Sequence, residues 1–355
     1  MLRRLARGFL VLFLAAIAVL PARGAEPVKG PEPATGPEPA GKKEIRFMIW
    51  GSAEEVSAVN DYLARFRQKF PEIEVKVIHS PSFGYREKLS LMISGGDVPD
   101  VFYLDVHDFL PMVEKDTLLD LDPLIKKNPE FPIKDFYPEL LDKFARDGKQ
   151  FGIPKDFATL VLYYNADLFD AYEVPYPKEG WTWDDFLSAA QNLTRDENKD
   201  GRPETWGFVL ETWFGEWAPW VWQNGGEIMN AKATEWVMGK DPYLAANAES
   251  LQFLSDLIWK HKVAPPSTVT KDQGTSNLFM TGKVAMCTYG RWICMEFKKI
   301  KDFSWDISPL PRKKQEASSL FTVAYAIARN SSHPEEAWKL VSFLTGAEGQ
   351  EETAQ

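Results

Sequence analysis

The chain has 355 residues, 45% hydrophobic and 26% charged, with a net charge of −10. Residues 1–24 carry four Arg and no acid, so their removal takes −10 to −14; such acidity argues against nucleic acid and anionic membrane surfaces as partners. The length suits two lobes rather than one hydrophobic core, and no repeat of fixed period is visible.

The N-terminus reads as a signal peptide over residues 1–24. Arg3, Arg4 and Arg7 precede an unbroken apolar run from Phe9 to Leu20, too short to span a membrane as a helix. Ala22-Arg23-Gly24 supplies small residues for cleavage before Ala25, and no Cys follows for lipid attachment. An exported, soluble, periplasmic protein is expected. Residues 25–42 are rich in Pro, Gly, Glu and Ala without apolar period, which predicts a disordered spacer. Within it Gly36-Pro-Glu-Pro-Ala-Gly41-Lys42-Lys43 approaches a phosphate-binding loop. Lys stands where Ser or Thr is needed, no strand precedes it, and proline removes backbone N–H donors. The loop is rejected.

From Ile45 onward strands and helices alternate. Ile45 to Trp50 predicts a strand, Glu54 to Phe70 an amphipathic helix stopping before Pro71, and Ile73 to Ile78 a second strand. Tyr85 to Ser94 predicts a helix ended by Gly95-Gly96, and Val101 to Leu104 a third strand. This βαβαβ order implies a largely parallel sheet covered by helices, an α/β fold. Leu160 to Tyr164 reads as a further strand running into a short helix. Thr182 with Asp185 then forms a capping box, with Trp181 and Phe186 placed as a hydrophobic staple. Phe186, Leu187, Ala190 and Leu193 continue at helical spacing. Near the C-terminus Glu335 to Leu344 is a helix with Pro334 at its first position and Gly346 past its end.

Catalytic signatures are absent. The four His (His79, His107, His261, His333) share no helical turn, and no nucleophile elbow, zinc-protease helix or Cys-x-x-Cys occurs. Cys287 and Cys294 are either a bridge or two buried small residues. Asp196, Asn198 and Asp200 alternate ahead of Gly201 as in a calcium loop, but the twelfth position is Gly207 instead of Glu. The competing reading is an Asx-rich surface turn. No other cofactor is indicated. Trp213, Phe214, Trp217, Trp220 and Trp222 crowd one segment before Gly225-Gly226. Sugar rings stack their C–H faces on aromatic planes while carboxylates bind their hydroxyls, so a sugar cleft needs both residue types. Trp220 and Trp222 are expected to be core.

Several blocks, in order, resemble the bacterial extracellular solute-binding proteins of family 1, the maltose-binding-protein-like sugar-capturing subunits of ABC importers. Leu162 to Thr194 carries Tyr-Asn-x-x-Leu-Phe, a Pro-rich turn and Thr-Trp-Asp-Asp-Phe. The others are Ile93-Ser-Gly-Gly-Asp-Val-Pro-Asp-Val-Phe102, Gly152-Ile-Pro154, Phe279-Met-Thr-Gly-Lys-Val-Ala-Met286 with Gly290-Arg-Trp292, and Pro334 to Leu344. The resemblance spans roughly Lys43 to Gln350. It implies a two-lobe periplasmic-binding-protein-like fold, with ligand in a cleft between lobes joined by crossover strands. Lobe one would comprise 43–158 plus 311–355, and lobe two 159–310. It further implies that the family's C-terminal part is missing after Gln355.

The resemblance, with the carboxyl-edge rule for open α/β sheets, nominates the ligand-binding residues. Trp50, Ser52 and Glu54 follow the first strand, Tyr103 and Asp105 end the third, and Asp156 sits in the first crossover. Trp213, Phe214 and Trp217 match the second lobe's aromatic segment, and Trp292 the stacking tryptophan of Gly-Arg-Trp. Asp105 and Asp156 also admit a reading as solvated loop acids. Thr322-Val-Ala324 departs from the glycines that relatives often carry near the second crossover. The expected protein is a monomer that captures a sugar or oligosaccharide without catalysis and delivers it to the membrane subunits of an ABC importer. The alternatives are a secreted carbohydrate hydrolase, or a binder of the same fold for a phosphorylated polyol, with Arg291 as its obvious cation.

Overall fold

A computed structural model describes residues 42–350 apart from 83, 232, 233 and 348. The expected signal peptide and nearly all of the spacer lie outside the described residues. Ten strands are described: β1 (Lys43–Trp50), β2 (Ile73–Ser80), β3 (Val101–Asp105), β4 (Ala145–Arg146), β5 (Lys149–Gln150), β6 (Gly152–Thr159), β7 (Val161–Asn165), β8 (Met286–Tyr289), β9 (Trp305–Ser308) and β10 (Leu320–Ile327). The α-helices are α1 (Ala53–Lys69), α2 (Tyr85–Ser94), α3 (Val106–Glu114), α4 (Asp122–Lys127), α5 (Pro138–Asp142), α6 (Ala166–Ala171), α7 (Trp183–Leu193), α8 (Phe214–Gln223), α9 (Leu244–Trp259), α10 (Ser267–Gln273), α11 (Thr275–Met280), α12 (Cys294–Phe297) and α13 (Pro334–Thr345).

The first sheet has the order β2-β1-β3-β10-β6. The βαβαβ segment pairs in parallel as expected, β1 matching β2 from Lys43↔Ile73 to Trp50↔Ser80. Helices cover both faces of a parallel sheet, so its central strands are apolar almost throughout; Phe47, Met48 and Ile49 are fully buried. β10 enters antiparallel between β3 and β6. This lobe has one core, running from Ile45 through Phe102 and Ile153 to Ala326, Trp338 and Leu344.

The second sheet is a three-stranded antiparallel β8-β7-β9. Separate apolar clusters surround it, the largest built on Phe186, Phe208, Trp220, Leu257 and Met286. The capping box of Thr182 and Asp185 forms at the start of α7, and both staple residues are buried. The chain crosses between the sheets twice, between β6 and β7 and between β9 and β10. The second crossing comes later than the expected boundary at Pro311. Arg312 exchanges backbone hydrogen bonds with Trp181 and Trp183, Lys314 N–H donates to the Gln223 carbonyl, and Gln223 Nε2 donates to the Ala317 carbonyl. Residues 312–317 are thus tied to the second lobe, and the return is made by β10.

Candidate functional site

The carboxyl ends of the first sheet bring two of the nominated acids into one row. In neighbouring strands, directly opposed residues project to the same face. Val323 of β10 opposes Asp105 of β3 on one side and Asp156 of β6 on the other. The acids therefore flank Val323, and Phe321 stands two residues before it on the same face of β10.

Each acid already has partners. Asp105 N-caps α3: its Oδ1 accepts from the His107 N–H at 2.8 Å and lies 2.6 Å from His107 Nδ1. The hydrogen bond to Asp105 raises the His107 pKa above its ordinary value against the opposing effect of burial. Asp156 is ion-paired with Lys155, whose ammonium lies 5.2 Å from the centre of the Tyr103 ring. Ser52 is likewise an N-cap, its Oγ accepting from Glu55 N–H at 3.2 Å while Glu55 Oε2 accepts from Ser52 N–H. Its hydroxyl holds the start of α1 in place, a use the strand-end position alone did not reveal.

Tyr103 is a correction. Only 4% of it is exposed, and burial drives its phenol far above the ordinary range. It lies beneath half-buried Trp50, whose ring meets Tyr85 and Tyr103 edge-on at 4.7 and 5.1 Å. Trp50, not Tyr103, carries aromatic surface outward. Glu54 is exposed and pairs with Lys299 of the second lobe at 3.3 Å. His107 and Phe214, also from opposite lobes, have ring centres 6.3 Å apart. The lobes touch at both places.

The second lobe contributes the aromatics. Trp213 stands at the N-cap position of α8 and is 41% exposed; Phe214 beside it is 36% exposed and packs edge-on against half-buried Trp217. Trp292 lies on the turn after β8 and is 44% exposed. Trp220 is buried as expected, whereas Trp222 is half-buried. Phe321 meets Trp213 at 5.1 Å and Trp292 at 5.2 Å. Sequence reasoning missed Phe321 because Leu-Phe-Thr-Val-Ala-Tyr-Ala-Ile reads as an ordinary buried strand. It also missed His107, and the exposed pair Tyr137 and Phe157 with centres 5.9 Å apart. A hydrophobic residue on a crossover strand leaves no local signal of exposure.

Behind the aromatics lies a polar cluster. Thr275 and Tyr289 hydroxyls both donate to Glu211 Oε1, and Thr288 Oγ1 donates to Glu216 Oε2. Glu216 is 1% exposed and its Oε1 has no partner; burial pushes its pKa up to about 8.

The remaining nominations do not join the site. In the acidic loop Asp196 and Asn198 accept backbone N–H groups of Asp200 and Gly201, and Asp200 that of Arg202. Among the described residues no three His, Cys, Asp or Glu side chains are arranged to hold a metal ion. Cys287 and Cys294 are both free thiols; Cys294 lies 3.2 Å from the Tyr163 hydroxyl.

Comparison with known proteins places these features in context. The sequence model for bacterial extracellular solute-binding proteins matches residues 50–351. Among solved structures, an ABC substrate-binding protein from Listeria monocytogenes, in complex with cycloalternan, is 32% identical. It superposes with a TM-score of 0.80, covering 86% of this chain and 76% of that one. The arabinooligosaccharide-binding protein of Bacillus subtilis (strain 168) is 24% identical over 323 residues, 87% of this chain and 70% of the relative. The chain spans 61% of the length of a Brucella abortus (strain 2308) relative, to which it is 24% identical over 265 residues.

Proposed function

The chain belongs to the bacterial extracellular solute-binding protein family, and from that premise we propose that it captures a sugar or oligosaccharide and hands it to the membrane subunits of an ABC importer. One observation carries the reading. Two exposed indoles, Trp213 and Trp292, converge through Phe321 on β10, the strand that runs between Asp105 of β3 and Asp156 of β6. Flat apolar faces beside carboxylates are the pairing a sugar requires. The cycloalternan complex of the Listeria relative supports the same ligand class.

The proposed mechanism is hinge closure about the two crossings. Ligand bridging both lobes shifts the population toward the closed form by its extra affinity for that form. No turnover is proposed, because the family to which the chain belongs is one of binding proteins. Export by the signal peptide would leave a soluble, monomeric, periplasmic chain beginning near Ala25; N-terminal sequencing of the secreted form tests that start.

A thermal-shift and calorimetric panel of cycloalternan, maltotriose, arabino-oligosaccharides and galacto-oligosaccharides tests the main reading. A tight ligand raises the melting temperature by mass action. Saturable binding without product formation is expected. Silence across the panel, or release of shorter sugars on incubation, would remove the reading.

A further inference from the structure

The nominated tryptophans are parts of one assembly, and the ring at its centre is not among them. Phe321 stands between Trp213 and Trp292, inclined 44° to the first and 85° to the second. The three rings come from the N-cap of α8, the turn after β8, and the crossover strand β10. Two glycines make their seats. A Cβ on Gly215 would lie 2.3 Å from the Trp213 ring and 2.6 Å from Phe321. A Cβ on Gly290 would lie 2.0 Å from the Trp292 ring. Gly290 has φ −85° and ψ 177°, an extended conformation open to any residue. It is required here for the space above it alone.

Building on the sugar-capture reading, we propose that Phe321 is a specificity-determining residue. It joins the two indoles into one stepped aromatic wall that takes at least two consecutive rings of a bent oligosaccharide. Three observations carry this. The indoles keep 41% and 44% of their surface exposed despite contacting Phe321, so outward faces remain for a ligand. The ring planes turn from one to the next, and a wall that turns fits a chain whose successive rings also turn, as in α-linked glucans. A straight β-linked chain would lie flat on one ring and leave the others. Finally, Phe321 shares its strand face with Val323, between Asp105 and Asp156. Sugar rings crossing the wall thus run toward the acids that can receive their hydroxyls.

The test compares wild type, Phe321→Ala, Phe321→Leu and Gly290→Ala by calorimetric titration with glucose, maltotriose and cellotriose, and by near-ultraviolet circular dichroism without sugar. Wild type should prefer maltotriose to both others. Phe321→Ala should weaken maltotriose about threefold to tenfold, the worth of one aromatic contact, and shrink the preference over cellotriose. Gly290→Ala should do the same by displacing the Trp292 indole. Both should lower the indole dichroism of the unliganded protein while it stays folded; if Phe321→Ala does not fold, Phe321→Leu and Gly290→Ala carry the same comparison. Wild-type maltotriose binding left intact in Gly290→Ala and in the Phe321 variants would overturn the wall while leaving sugar capture standing. So would a preference for cellotriose, or no binding of any of the three by wild type, with the broader panel then deciding sugar capture separately.

Discussion

In the first lobe five strands share one ladder and one core, whereas the second lobe hangs its helices on three short antiparallel strands and fills the space with aromatic rings. The first lobe presents polar groups at strand ends, and these are largely spent on its own architecture: Ser52 and Asp105 cap helices, and Asp156 holds Lys155. The second presents tryptophans, some sunk in the core and some left exposed, a few residues apart on the same helix. Residue type is therefore a poor guide to role in either lobe. Position relative to the crossovers is the better one.

The largest expected effect separates two tryptophans of the second lobe. Trp220→Ala should destabilise by about 3–5 kcal/mol, the usual cost of truncating a buried aromatic, because Trp220 packs against Trp183, Phe186 and Phe253. Trp292→Ala should leave the unliganded melting temperature nearly unchanged yet weaken sugar binding about tenfold, a stacking contact and its burial together. Denaturant unfolding and calorimetry on both variants check the contrast, and equal losses of stability would erase it.

A pH effect comes next, and it too belongs to the second lobe. The Glu216 carboxyl is raised from its ordinary 4.5 to about 8, by burial first, with the Thr288 hydrogen bond opposing and Glu211 nearby adding to it. The folded state then holds a proton that the unfolded chain releases. This contribution is fully present below about pH 4.5 and lost as pH rises to about 8. Glu216→Gln keeps an acceptor for Thr288 and cannot ionise. Its stability relative to wild type should increase across that window by a few kcal/mol, about 1.4 per pH unit at most. Melting curves of both proteins at pH 5 and pH 9 measure it; a constant difference would contradict the buried-acid account.

The helix caps should cost the two lobes alike. Ser52→Ala and Thr182→Ala each remove the cap of a capping box, worth about 1 kcal/mol. Only Ser52→Ala stands near the proposed cleft, so chemical denaturation should rank the two together and sugar titration should set them apart. Smallest is the cross-lobe pair. Glu54→Lys puts like charges where Glu54 and Lys299 now attract. It should shift small-angle scattering of the unliganded protein toward a more open shape, most clearly at low salt.

The first lobe was legible because its signals are local and redundant. The helical spacing of Val59, Leu63 and Phe66 in α1 and the apolar run of β1 each report the same fold. In the second lobe the Thr182 box was as clear, but the long stretch between Leu193 and Met286 carries few periodic signals. Of the site, the exposed tryptophans Trp213 and Trp292 could be nominated by resemblance. The burial of Tyr103, the cap roles of Ser52 and Asp105, and the central place of Phe321 could not.

The sequence by itself determined the α/β alternation, the helix start at Thr182, and the family to which the chain belongs. Those depend on neighbours within a few residues, where capping, turn chemistry and hydrophobic period act. Tertiary structure alone decided that β10 runs antiparallel between β3 and β6 and so sets Asp105, Val323 and Asp156 in one row. It alone brought residues 213, 292 and 321 together as one wall. The physical reason is that strand pairing and ring packing join segments far apart in the chain. Which face of a strand becomes exposed is settled by what the other lobe leaves uncovered.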